Sequence, residues 1–331
     1  MIPTARRSAP GAARRGAGRA SCHHGEILQG VFLDSAGRGC AALVTLPMAG
    51  PGSRAEFTRR PGTPAHRLTV LPTDRTKAAR AAALAVAECA RRRREPPCGG
   101  ELSITGDIPV GLGMGSSTSD VIAGVRAVAD SYGTRLAPGT IAGLAVRAET
   151  ACDPLMLDER PVLFAQREGR VLEVLGAALP PLVVVGCVLG GGAPVDTLSL
   201  PVRGRDHPDA RDDHDVRACE RLRSLLRRAV ATGDAALLGE VATASARRGQ
   251  RVLRHAEFDT LTEVARGLGA LGVQIAHSGS VAGVLFDPAV PHLRNRVREC
   301  VGALTDRAMP HTRTFTTFPT TKEFPSGPAH R

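Results

Sequence analysis

The stretch Asp107-Ile-Pro-Val-Gly-Leu-Gly-Met-Gly-Ser-Ser-Thr-Ser-Asp120 limits what this chain can become more than any other. Residues 100–109 alternate as a strand, and 116–132 carry Val121, Ile122, Val125, Val128 and Ala129 at helical spacing. The glycines at 111, 113 and 115 therefore join a strand to a helix. Without a Cβ they can adopt conformations that turn successive N–H groups into one concavity. The helix behind them offers its own free N–H groups and positive dipole end, which together make an anion site. The hydroxyls of Ser116, Ser117 and Thr118 could add donors to a phosphate or a ligand to magnesium. The plainer alternative is a glycine-rich turn with a serine helix cap.

Two common nucleotide loops fail here. A Walker loop needs Gly-Lys-Ser/Thr, and the chain's only lysines are Lys77 and Lys322. A dinucleotide fingerprint needs Gly-x-Gly-x-x-Gly and a carboxylate ending the next strand; Gly111-x-Gly113 is followed by Ser116, and Asp130 lies on the helix itself.

What fits is Pro-x-x-x-Gly-x-Ser-Ser-Thr/Ala, read as Pro109 through Gly115, Ser116, Ser117 and Thr118. It resembles the phosphate loop of the superfamily of small-molecule kinases named after galactokinase, homoserine kinase, mevalonate kinase and phosphomevalonate kinase (GHMP). Two further stretches resemble the other motifs of that superfamily in the expected order. Near the N-terminus, Cys22-His-His-Gly-Glu-Ile-Leu-Gln-Gly30 looks like the version found in L-threonine kinases of cobalamin side-chain assembly. It differs from them at His23-His24, where that branch usually has small residues. Adjacent Cys22, His23 and His24 cannot easily converge on one tetrahedral ion. Near the C-terminus, Ala276-His-Ser-Gly-Ser-Val-Ala-Gly283 resembles the third motif, a small-residue turn packed on the phosphate loop.

The resemblance implies an α+β fold with an N-terminal domain like ribosomal protein S5 domain 2, followed by a ferredoxin-like C-terminal domain. It implies ATP and Mg2+ as cofactors and phosphorylation of a small-molecule hydroxyl, with L-threonine the first choice of acceptor and homoserine or a natural-product alcohol the alternative. By the same resemblance Pro109, Gly111, Gly113, Met114, Gly115, Ser116, Ser117 and Thr118 hold the nucleotide, and Ser117 and Glu149 hold magnesium. Glu26, Gln29, His24, Ser278 and Gly279 would contact the acceptor. Asp153, which precedes Pro154 and so marks a helix end, would accept the hydroxyl proton or grip a substrate ammonium. Readings of other classes are an NAD(P)-linked oxidoreductase using the glycine loop and a basic nucleic-acid-binding protein.

Composition bears on that last reading. The 331 residues carry a net charge of +11, but only 3% are aromatic, with no tryptophan and one tyrosine, so bases would find little to stack on. The arginine excess reads as a GC-rich coding bias, which argues against nucleic acid as the main partner. The eight cysteines form no Cys-x-x-Cys pair and read as reduced thiols in a cytoplasm. No apolar run reaches the ~18–20 residues that span a bilayer, so a soluble monomer or homodimer is expected.

The domains expected are a disordered basic arm over 1–20, an ATP-binding domain over 21–180, a C-terminal domain over 181–318 and a loose tail over 319–331. Strands are expected at 37–48 and 54–58, with a turn at Pro51-Gly52 between them. Helices are expected at 74–94 and 138–151, a hairpin over 162–174 and a strand at 182–189. A polar linker at 203–215 leads to helices 212–230, 233–248 and 258–270. Strands 272–276 and 281–287, helix 291–305 and strand 309–318 follow.

Overall fold

The computed structural model describes residues 14–158, 160–190 and 213–319. The linker expected up to 212 and the tail from 320 lie outside the described residues. The chain forms two compact units, each assembled from separated segments. The smaller comprises Met1–Ala20, Gly52–Asp107 and Ser117–Cys152; the larger comprises Ser21–Pro51, Ile108–Ser116 and Asp153–Arg331. Two long strands, β1 (Arg14–Leu33) and β2 (Gly39–Pro64), run through both.

In the smaller unit the strand order is β1, β2, β4 (Cys98–Gly106), β3 (Leu68–Leu71). β4 pairs antiparallel with β2, Ser53 opposite Gly106, and parallel with β3, Leu68 opposite Gly100. Three helices belong here: α1 (Thr76–Arg93), α2 (Ser116–Ser131) and α3 (Pro138–Glu149), with α1 packed on α3. The buried face of α1 is nearly all alanine (Ala78, Ala81, Ala82, Ala85, Ala90), which lets neighbouring backbones approach closely. Its last turn ends in a left-handed Arg94, and Arg91 and Arg92 both donate to Glu88, so the arginine run is a solvated helix end.

The expected arm over 1–20 is corrected from Arg14 onward. There β1 alternates exposed arginine and alanine with buried Gly16, Gly18 and Ala20. Those positions are small because α2 lies directly on them: a Cβ on Gly18 would sit 2.1 Å from the Ala123 carbonyl oxygen, and one on Gly16 2.2 Å from the Ser131 nitrogen. The turn expected at Pro51-Gly52 is also corrected, since β2 continues through both residues; the Gly52 N–H donates to Asp107 and the Ser53 N–H to the Ser119 hydroxyl.

In the larger unit the order is β10 (His311–Thr316), β7 (Val183–Val188), β9 (Val281–Phe286), β8 (Gly272–Ile275), β1, β2. A hairpin of β5 (Val162–Ala165) and β6 (Arg170–Val174) joins β2 at Leu43 opposite Phe164. β7 and β9 are buried along their whole length, because both their faces are covered. Val184, Val281 and Leu285 face a core shared with α4 (Asp213–Thr232) and α5 (Ala235–Gly249). Val183, Val185, Val284 and Phe286 face another, shared with α6 (Phe258–Gly267) and α7 (Leu293–Thr305). All eight cysteines are buried and none is in a disulfide. Among the described residues no helix is long and apolar enough to cross a membrane.

The strand at 14–20 yields a direct test. Gly18→Val should lower unfolding free energy by about 2–3 kcal/mol, because the clash is with backbone rather than a flexible side chain. A denaturant titration that leaves this variant as stable as the parent would show that 14–20 does not dock on α2.

Candidate functional site

The loop between β4 and α2 carries left-handed backbone at Gly111, Gly113 and Gly115, with φ of 82°, 84° and 73°. It is pinned within the larger unit on two sides. The His23 N–H of β1 donates to the Met114 carbonyl at 3.3 Å, and the Val281 N–H of β9 donates to the Leu112 carbonyl at 2.9 Å. The turn from Ala276 to Ser280 lies against it so closely that a Cβ on Gly279 would fall 2.2 Å from the Leu112 carbonyl oxygen. Gly113 is matched to the same turn, a Cβ there meeting Ala276 Cβ at 2.5 Å. The side chain of Met114 is buried in the core, leaving its backbone as the part able to face a ligand. Pro109 and Val110 are exposed at the start of the loop, while Gly111, Ser116 and Ser117 are half-buried.

The smaller unit holds one of the expected constellations. Ser117 Oγ donates to Glu149 Oε2 at 2.8 Å, and Thr118 Oγ1 donates to Glu149 Oε1 at 2.9 Å. Glu149 is the last residue of α3 and is buried, where the helix dipole disfavours a negative charge. The two hydroxyls come from the first turn of α2, whose dipole end is positive, and offset that cost. A carboxylate with two hydroxyl oxygens is a hard donor set of the kind magnesium takes.

The larger unit holds a second cluster, around His23. β1 would place His24 and Glu26 on one face if it were regular, but Gly25 is left-handed at φ 66° and shifts the alternation. His23 and Glu26 become neighbours instead, Nδ1 to Oε1 3.8 Å. On its other side His23 Nε2 lies 3.2 Å from Asp153 Oδ2, an ion-pair contact. Its Nδ1 lies 3.2 Å from the Gly25 carbonyl. Glu26 Oε2 accepts the N–H of His277, tying β1 to the start of the 276–280 turn. Burial opposes the charging of His23, but the charge of Asp153 and a hydrogen bond to it, with the charge of Glu26 and the Gly25 carbonyl, outweigh it and lift its pKa to about 9. Burial pushes the Glu26 carboxyl up to about 7, with His23 pulling the other way. The three side chains offer ligand atoms within 4.8 Å of one another, a spacing a metal ion could bridge. The proton held on His23 competes with such an ion.

His24, expected to contact the acceptor, is corrected. It is wholly buried, accepts from Gln274 Nε2 at Nδ1 (2.7 Å) and lies 5.0 Å from the Phe315 ring, with burial lowering its pKa to about 3. It is a neutral core residue. Its neighbour His23, given no role by the sequence, is the one drawn to Glu26 and Asp153, and Gly25 was the signal that could have placed it there. Glu26 is also buried, its carboxyl engaged by the His277 amide and His23. Gln29 lies with its amide against Gly249 at the end of α5. Ser278 is half-buried and Gly279 buried in the turn, and Asp153 keeps 22% of its side-chain surface exposed.

Two family models match the chain, GHMP kinases N terminal domain over residues 78–155 and GHMP kinases C terminal over 223–303. The chain belongs to the GHMP kinase superfamily. It is 28% identical over 186 residues to the L-threonine kinase of Citrobacter freundii, covering 56% of this chain and 62% of that relative's length. Homoserine kinase from Cytophaga hutchinsonii superposes with a TM-score of 0.62 at 16% identity, over 94% of this chain and 96% of that one. The structure of MDDEF in complex with MVAPP, AMPPCP and magnesium superposes with a TM-score of 0.60 at 13% identity, over 92% of this chain and 97% of that one. The fold expected from the three motifs is therefore the fold observed.

The raised carboxyl of Glu26 has a signed consequence. Between pH 4.5 and about 7 the folded chain keeps a proton that the unfolded chain releases, so its stability falls as pH rises through that window. Glu26→Gln, which can still accept the His277 N–H, should match the parent near pH 4.5 and become more stable than it by pH 7.5, by about 1–3 kcal/mol. Unfolding midpoints whose difference does not change with pH would contradict a raised Glu26.

Proposed function

We propose that this chain is an ATP-dependent kinase that phosphorylates the hydroxyl of an amino-acid-like small molecule, with L-threonine the first acceptor to test. The observation carrying this is the hold of Ser117 and Thr118 on the two oxygens of Glu149, immediately after a loop of three left-handed glycines in the sequence. Phosphoryl transfer asks a protein chiefly to position its reactants and stabilise charge, with little covalent chemistry of its own. The backbone amides of Gly113, Met114, Gly115, Ser116 and Ser117 would hold the nucleotide phosphates, since no lysine stands in the loop. Ser117 and Glu149, with Thr118 beside them, would hold magnesium, which when bound neutralises phosphate charge. Asp153 would take the acceptor's proton at its carboxylate or pair with its ammonium group.

L-threonine as acceptor, and with it a place in cobalamin side-chain assembly, rests on the likeness to the Citrobacter enzyme and on the Gly25-Glu26-x-x-Gln29-Gly30 motif. Homoserine is the second acceptor, favoured by the fold relative from Cytophaga. The oxidoreductase reading loses support, because α2 is followed by α3 and not by the returning parallel strand of a dinucleotide-binding unit. The nucleic-acid reading weakens too: Arg38, Arg59, Arg91, Arg92, Arg170, Arg223 and Arg227 are each engaged by an acidic side chain. Buried cysteines agree with a reducing cytoplasmic setting.

A coupled ADP-release assay over L-threonine, L-serine and homoserine tests the reading, with magnesium-dependent turnover expected and kcat/KM highest for L-threonine. No turnover with any alcohol, together with tight nicotinamide cofactor binding, would reverse it. Glu149→Ala should lower kcat at least about 100-fold while costing no more than about 2 kcal/mol of stability, because the freed hydroxyls can rotate to other acceptors. Near-normal turnover in that variant would remove the metal assignment.

A further inference from the structure

We propose that His23 is a positioning residue: a buried imidazolium between Glu26 and Asp153 that fixes the Asp153 carboxylate beside the glycine loop. This deepens the kinase reading and rests on it for what Asp153 then does.

The geometry carries the inference. His23 is 2% exposed, and its two ring nitrogens face carboxylates on opposite sides, Asp153 Oδ2 at 3.2 Å and Glu26 Oε1 at 3.8 Å. A neutral imidazole has a single N–H and could serve only one of them. The Gly25 carbonyl beside Nδ1 is a third acceptor on the same ring and asks for an N–H there, which leaves Nε2 to donate toward Asp153 only if both nitrogens carry protons. Two carboxylates this close in a buried place repel each other unless a cation lies between them. His24, the other titratable group next to His23, is on the reverse face of the strand and neutral. His277 reaches the cluster through its backbone N–H, which adds a partial positive charge on Glu26.

The loop is built around this ring. A Cβ on Gly115 would meet His23 Cδ2 at 2.6 Å, His23 Nε2 at 2.7 Å and Asp153 Oδ2 at 3.2 Å. Glycine at 115 thus admits the ion pair as well as the left-handed turn. The His23 amide in turn holds the Met114 carbonyl, so one residue fixes both the loop backbone and the carboxylate next to it. With lysine absent from this region of the sequence, a histidine supplies the cation.

The decisive measurement is the charge state of His23 in the intact protein, by 15N-histidine NMR. At pH 7.5 one histidine, identified by its loss in His23→Gln, should show the imidazolium pattern and convert to a neutral tautomer in Asp153→Asn. A neutral His23 at pH 7.5, a charge indifferent to Asp153→Asn, or displacement of its proton by equimolar zinc would each overturn the proposal. If His23→Gln does not fold, the one histidine that changes charge in Asp153→Asn identifies the signal. In turnover, His23→Gln should lower kcat about 100-fold, move the acidic limb of the pH profile up by about one unit and leave KM for ATP within about threefold. His23→Lys should recover most of kcat and extend activity to higher pH. An unchanged profile in His23→Gln would overturn the positioning role. The imidazolium signature in a chain without phosphoryl-transfer activity would uphold the ion pair and sink the kinase reading.

Discussion

Everything in the proposed nucleotide loop depends on close backbone contact. Leu112 and Gly113 touch the 276–280 turn at distances no Cβ would allow, and Met114 is hydrogen-bonded to β1. Three left-handed residues in five would be costly anywhere but at glycine, and here Gly113 and Gly115 also make room for a neighbour. The loop is therefore a rigid element held from two sides, which is what a phosphate site needs if its amides are to point inward before the ligand arrives.

The two carboxylates singled out in the sequence are stabilised by different means. Glu149 is met by two neutral hydroxyls at the start of a helix, a setting that leaves its charge available to a cation. Asp153 is met by a buried imidazole and keeps partial exposure, a setting that fixes its orientation. The metal-holding and acceptor-positioning roles proposed for them ask for these two different environments, and three residues of chain lie between them.

Much of the fold could be read from the sequence because its elements carry strong local signals. Helices with apolar stripes, the 162–174 hairpin and the fully apolar strands β7 and β9 all appeared near their expected places. The failures share one cause, which is that glycine and alanine leave no hydrophobic pattern. Over 14–20 the buried positions are glycine, glycine and alanine, so arginine dominated the reading and a strand passed for an arm. At Gly25 a single left-handed residue moved Glu26 from the face of His24 to that of His23, which is why alternation pointed to His24. Short β3 has only four residues and no such signal at all. At the candidate site the glycine loop was legible from its motif, and the contact of Ser117 with Glu149 from a separation of 32 residues that allows a helix, a turn and a return helix. The His23 ion pair depends on a bulge and a distant segment, and spacing encodes neither.

The tie between Glu26 and His277 joins residues 251 apart, and the same turn supplies the contacts that shape the glycine loop. During synthesis the loop and its helix leave the ribosome long before the segment that pins them. A nascent chain can therefore form α2 early, but the pinned loop can take shape only after the 276–281 segment has been made. Translation products that stop short of that segment would lack the pinned loop geometry, so the nucleotide capture proposed for the loop waits on a part of the chain made long after it.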